Sequence, residues 1–147
     1  NCTLDESESR WDARRGFWPA ALCEASIGGA GRERFAVVRA KDRIRFPEAE
    51  TEKPAYYFEC LAFGAQDKNL NPYYAEFAQR AEHEVVEHAH AGMEFVFLLD
   101  GELEIRYREE TFVLKPGDSA YFDSSEPHCY RGLTKEPTRA VVVTTAP

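Results

Sequence analysis

Residues 87–101 read EHAHAGMEFVFLLDG, that is Glu87-His88-Ala89-His90 running through Glu94 to Gly101. On a strand, His88 and His90 are two residues apart, so their side chains share a face, roughly 7 Å apart at Cα. Ala91-Gly92-Met93 is a short, permissive segment that can bend the chain and bring the Glu94 carboxylate back toward the two imidazoles. Two imidazoles and a carboxylate suit a borderline divalent transition metal: Fe, Mn, Ni, Co, Cu or Zn. They suit Ca or Mg poorly, because those ions prefer oxygen ligands throughout. After Glu94 the pattern alternates. If Glu94 points inward, so do Val96 and Leu98, and Phe95, Phe97 and Leu99 face out. Such an outer face needs a cover. The expectation is an intrachain cover by residues 35–63, with a homodimer forming through strand surfaces.

Working outward, residues 114–128 read LKPGDSAYFDSSEPH, from a strand end through a Pro116-Gly117 turn to His128. Together the two stretches resemble the two motifs of the cupin family. His88, His90, Glu94 and Gly101 match the first motif at the family spacing. Pro116, Gly117 and His128 match the second, whose usual Asn a few residues past the His is replaced here by Cys129-Tyr130-Arg131. The resemblance covers roughly residues 56–145. It implies a double-stranded β-helix, or jelly-roll barrel, with one divalent metal held by His88, His90, Glu94 and His128. His83, in the polar run Glu82-His83-Glu84, matches no motif and reads as a solvated loop residue.

The rest of the chain agrees with an all-β reading. Phe35–Arg39 and Arg43–Phe46 read as short strands around a Lys41-Asp42 corner, and residues 47–54 as a charged loop. Tyr56–Phe63 and Tyr73–Arg80 are longer strands, with residues 64–72 as a loop between them. Val85–His90 enters the histidine motif as a strand. Asp100-Gly101 reads as a hairpin turn before Leu103–Arg108, whose Leu103, Ile105 and Tyr107 share one face. Strands at Thr111–Leu114, Ser119–Asp123, His128–Arg131 and Arg139–Thr145 complete a set of about ten, as a sandwich or barrel requires. Residues 1–34 are expected to be an N-terminal extension: a polar segment, one or two helical turns after Pro19, and a glycine-rich connector lacking the spacing of a phosphate loop. The barrel domain is then 35–147.

Composition limits what this fold can be used for. A chain of 147 residues can bury a proper core in one domain. Its net charge of −8 repels phosphate backbones, so direct nucleic-acid binding by this chain is not expected. No apolar run has the length of a membrane span, about 18 residues. Cys2, Cys23, Cys60 and Cys129 show no paired CxxC spacing. Reduced thiols and a cytoplasmic location are the expectation. The chain begins at Asn1, as a processed or trimmed piece of something longer would.

The run from Tyr73 through Gly132 resembles, more narrowly, the C-terminal cupin sensor domain of bacterial helix-turn-helix transcriptional regulators. The features that carry this are Asn71-Pro72-Tyr73, EFVFLLDGELEI after the histidines, and the ending Asp123-Ser124-Ser125-Glu126-Pro127-His128. The resemblance implies a metal-dependent domain that binds a small-molecule effector, such as a carboxylate. Residues 1–34 are too short and polar to supply the DNA-binding part. Tyr74, Glu76, Tyr107, Tyr121 and Tyr130 are candidates for the pocket wall, although an aromatic in a barrel is more often core. No nucleophile with a paired base stands out. Binding is therefore favoured over catalysis. The competing reading is a small dioxygenase or isomerase using the same three histidines and one glutamate, and a third is a structural cupin with an empty pocket.

Overall fold

The computed structural model describes residues 35–46, 54, 56–65 and 68–145. The expectations for residues 1–34 lie outside these. Among the described residues nine strands form: β1 (Arg45–Phe46), β2 (Tyr56–Cys60), β3 (Leu70–Phe77), β4 (Met93–Asp100), β5 (Leu103–Tyr107), β6 (Glu110–Leu114), β7 (Ser119–Asp123), β8 (His128–Gly132) and β9 (Thr138–Thr145). They build a six-stranded sheet in the order β1-β2-β3-β9-β4-β7 and a three-stranded sheet in the order β6-β5-β8. All pairings between these strands are antiparallel. The core lies between the two inner faces. Phe58, Tyr73, Phe77, Val96, Leu98 and Val142 enter it from the larger sheet and Leu103 and Ile105 from the smaller. This is the all-β jelly roll expected from the sequence.

Alternation accounts for the inner face. In β4, Glu94, Val96 and Leu98 are buried, and in β9, Thr138, Ala140, Val142 and Thr144 are. Among the described residues, no strand is laid over the outer residues of β4. β1 and β2 extend the sheet beside β3 instead of covering β4, and Phe95, Phe97 and Leu99 keep 36–38% exposure. The expected cover by residues 35–63 is therefore not provided by these two strands.

Several element boundaries differ from the sequence reading, each for a physical reason. Residues 35–39 form no strand, and a 3-10 turn over Ala40–Asp42 makes the expected corner. β3 begins at Leu70 and includes Pro72, which propensity assigns to a loop. Proline is tolerated because the Pro72 carbonyl already faces the end of β2, where it accepts from Leu61 N at 3.0 Å. In an antiparallel pair a residue's N–H lies on the same side as its carbonyl, so the missing donor falls just beyond β2. Asp100-Gly101 is not a hairpin turn. β4 pairs with β7 and β9, and β5 pairs with β6 and β8, so this dipeptide carries the chain from one sheet to the other. Residues 85–92 run irregularly rather than as a strand, apart from one bridge at His88. Cys60 is disulfide-bonded, against the expectation of reduced thiols, and Cys129 is the free cysteine among the described residues. No helix among the described residues is long and apolar enough to cross a membrane.

Candidate metal centre

The site is assembled from a loop, two strands and the bridge that ties them. His88 and His128 exchange backbone hydrogen bonds, His88 N to His128 O at 2.9 Å and His128 N to His88 O at 3.0 Å. That fixes the two residues opposite one another. Glu94 lies on the inner face of β4, in register with Phe122 of β7 and Thr144 of β9. The loop between His90 and Glu94 is held at both ends. His90 N donates to Ser124 O at 2.8 Å, and Gly92 O accepts both Ser124 N at 3.0 Å and Ser124 Oγ at 2.7 Å. Met93 N donates to Thr145 Oγ1 at 2.8 Å. Gly92 has φ +107, and a Cβ there would come within 2.8 Å of Thr145 O and Oγ1. Only glycine fits that turn without strain.

Within this frame three imidazoles converge. One ring nitrogen from each of His88, His90 and His128 lies within 4.8 Å of the others, a spacing at which they could hold a metal ion. Glu94 stands beside the cluster, with Oε2 3.0 Å from His90 Nε2 and 3.6 Å from His128 Nε2. Its other oxygen, Oε1, accepts a short hydrogen bond from the Tyr130 hydroxyl. Phe122 closes one wall, its ring centroid 5.0 Å from that of His128.

The donor set can be tested for fit from the ring nitrogens. His128 Nδ1 lies 2.8 Å from Glu126 O. A carbonyl can only accept, so Nδ1 carries the proton, and in the neutral ring Nε2 is a bare lone pair. That Nε2 is buried without a hydrogen-bond partner, as are both ring nitrogens of His88. A buried polar atom left unpaired costs about 1–3 kcal/mol, and a metal ion would satisfy the lone pair of His128 Nε2 together with the one on the His88 ring. The carbonyl behind His128 is the kind of outer partner that orients a ligating imidazole.

At His88 and Glu94 electrostatics point the same way. Burial, reinforced by the neighbouring His128, lowers the His88 pKa from 6.5 to about 4, so this ring is neutral near pH 7. Burial would raise Glu94, but its polar surroundings, the His90 and Tyr130 hydrogen bonds among them, outweigh it and hold the carboxyl at about 2. Burial disfavours a charged His90, yet the Glu94 hydrogen bond and charge raise its pKa. Both hydrogen-bond acceptors near His90, Glu94 Oε2 and Ala91 O, favour a ring that donates. Burial and the Glu94 charge raise Tyr130 well above the ordinary tyrosine value, which keeps its hydroxyl a donor.

The remaining sequence candidates fall in different places. Tyr74 and Glu76 lie on the opposite face of β3 from the buried Tyr73, Ala75 and Phe77. There Arg43 sits over the Tyr74 ring, and Glu76 pairs with Arg45 and Arg139. Tyr121 is 70% exposed on the outer face of β7. These three residues are therefore not brought to the centre. Tyr107 packs against Phe122 at 5.3 Å, at the edge of the core. Tyr130 alone of the five contacts the cluster, through Glu94. His83 is exposed, as expected. The sequence reading missed Ser124 and Thr145, which pin the loop. Ser124 was within a quoted motif, but Thr145 lies 52 residues from Met93 and carries no local signal.

Comparison with known proteins agrees with this architecture. Residues 74–144 match the family described as the cupin domain. This segment is a cupin domain. Iron(II) HppE has a similar structure, with a TM-score of 0.66 at 18% identity over 75% of this chain and 60% of that one. Hydroxypropylphosphonic acid epoxidase from S. wedmorenis gives 0.63 at 17% identity, over 76% and 59%. The cupin domain of an XRE-family transcriptional regulator from Enterobacter cloacae gives 0.55 at 23% identity, over 63% of this chain and 98% of that domain. At these identities the likeness is one of fold. The chain spans about three fifths of the length of the first two structures. No curated protein matches the chain.

Proposed function

We propose that this cupin domain binds a small molecule at a divalent transition metal held by His88, His90, His128 and Glu94, and that it serves as the effector-binding part of a helix-turn-helix transcriptional regulator. One observation carries the metal reading. Buried ring nitrogens of His88 and His128 that have no hydrogen-bond partner converge with a His90 nitrogen beside a carboxylate that stays ionised. A bound metal would supply a Lewis-acidic centre able to take an oxygen-bearing ligand. The chain's own residues do the rest. The ring–carbonyl bond of His128 sets its tautomer, the Ser124 bonds hold His90 and Gly92 in place, and Phe122 with the core aromatics walls off water. The ligand class is a small anionic or hydroxylated molecule such as a carboxylate. Its recognition would come from the metal, with an apolar body against Phe122 and Tyr107.

The regulator reading is supported by likeness to the regulator's cupin domain, which this chain covers almost end to end. DNA contact is assigned to a separate domain, since this chain carries a net charge of −8. A homodimer through outer sheet surfaces fits the exposed apolar row on β4. A second reading, a metal-dependent dioxygenase or isomerase, draws on the HppE structures, one of which carries iron(II) and another substrate with cobalt.

The test is to load purified protein with Fe(II), Mn(II), Ni(II) or Zn(II) and screen it against a metabolite panel. A ligand that binds only the folded state raises the melting temperature as its concentration rises. Saturable shifts without conversion are the expected result. Steady conversion of a panel member, lost in His128→Ala, would transfer the case to the enzyme.

A further inference from the structure

Glu94 is fixed through both ends of its carboxylate. Oε2 faces His90 and His128, and Oε1 takes the Tyr130 hydroxyl. The pair is sealed from water, at 1% exposure for Glu94 and 6% for Tyr130. Tyr130 has little room to turn away. Its backbone is in register with Ile105 in the middle of β5, and its ring lies 5.5 Å from Phe77 and 6.4 Å from Phe122. Tyr130 is also two residues beyond His128 on β8, so strand alternation aims both side chains into the barrel.

We infer that Tyr130 is a positioning residue of the metal centre: its hydroxyl occupies Oε1, so that Glu94 meets a metal through Oε2 alone. This rests on the metal reading above. A carboxylate that chelates with both oxygens fills two coordination positions, whereas one held at Oε1 fills one. The position saved remains open to an incoming small molecule. Metal choice is affected as well. Calcium sites commonly use a two-oxygen carboxylate among several oxygen donors. One oxygen with three imidazoles instead selects a borderline transition metal.

The experiment uses the full chain, metal-free and loaded with one equivalent of Zn(II). Infrared difference spectra report the separation between the antisymmetric and symmetric carboxylate stretches, which is wide for one-oxygen binding and narrow for two-oxygen binding. A wide separation is expected in the unaltered protein. Tyr130→Phe keeps the ring and removes the hydroxyl, so the separation narrows as Oε1 is released. Zn(II) affinity, measured by chelator competition, falls about 10–100-fold, the usual cost of losing an outer partner of a ligand. An unchanged separation in Tyr130→Phe overturns the inference whatever the affinity does, because weaker binding alone is what a packing role would give. Should that variant not fold, a narrow separation in the unaltered protein overturns it and a wide one supports it. Absence of Zn(II) uptake by the unaltered protein overturns both this inference and the metal reading.

Discussion

Gly92→Ala tests whether the loop carrying His90 is as tightly seated as the geometry implies. Gly92 has φ +107, and a Cβ would lie 2.8 Å from both Thr145 O and Thr145 Oγ1. Two costs combine. An L-residue forced into positive φ loses about 1–2 kcal/mol. Displacing Thr145 breaks its bond to Met93 N, worth about 1 kcal/mol, and the strand end must shift. The sum is about 2–3 kcal/mol. For a domain of this size, about 4 °C per kcal/mol gives a fall in melting temperature of about 8–12 °C. Gly117 supplies the control. Its φ is +93, but nothing lies within 4 Å of the position a Cβ would take. Gly117→Ala should therefore cost only the backbone term, about 1–2 kcal/mol. The assay is urea unfolding of both variants with the thermal melt alongside. Equal losses from the two substitutions would refute the argument, because they would show that contact with Thr145 adds nothing.

Further expectations follow from the same geometry. Ser124→Ala removes the Oγ bond to Gly92 O but leaves the backbone bond, so unfolding should show a loss of about 1 kcal/mol and metal should bind less tightly. Stability of the metal-free protein should fall in two stages on acidification. His88 has its folded pKa lowered from 6.5 to about 4, so the unfolded chain takes up the proton first and stability declines as pH drops across that interval. Glu94, lowered from 4.5 to about 2, adds a second decline over its own interval. His90 is raised, so its contribution runs the other way, present at low pH and lost as pH rises past 6.5. Urea titrations across pH would check this, with His88→Asn expected to abolish the first decline and leave the second.

Much of the fold was legible because local pattern and burial coincide. In β4 the alternation from Glu94 to Leu98 named the inward residues correctly, since one face is buried and a one-residue slip would invert it. What the sequence could not carry was which strand pairs with which. Asp100-Gly101 has the chemistry of a hairpin turn, yet β4 and β5 belong to different sheets. That outcome depends on partners far along the chain. Pro72 hid the start of β3 because propensity does not know that β2 has already ended beside it. Tyr74 and Glu76 were taken one residue out of phase with Tyr73, an error that the flanking loop gave no means to detect. At the site, the three motif histidines were readable from the sequence, and the fold brings them together. Tyr130, named for the pocket wall, lies at strand spacing from His128 and reaches the cluster. The Thr145 contact could not, because it exists only once β9 lies against β4.

The most direct measurement is the metal content of the purified chain after equilibration with one divalent transition metal and removal of the unbound ion. The account predicts about one metal per chain by elemental analysis, as a single site of this kind requires. It also predicts loss of that metal in His90→Ala and in His128→Ala, with full retention in His83→Ala. No stoichiometric metal in the unaltered protein, or equal retention in all three variants, would contradict it.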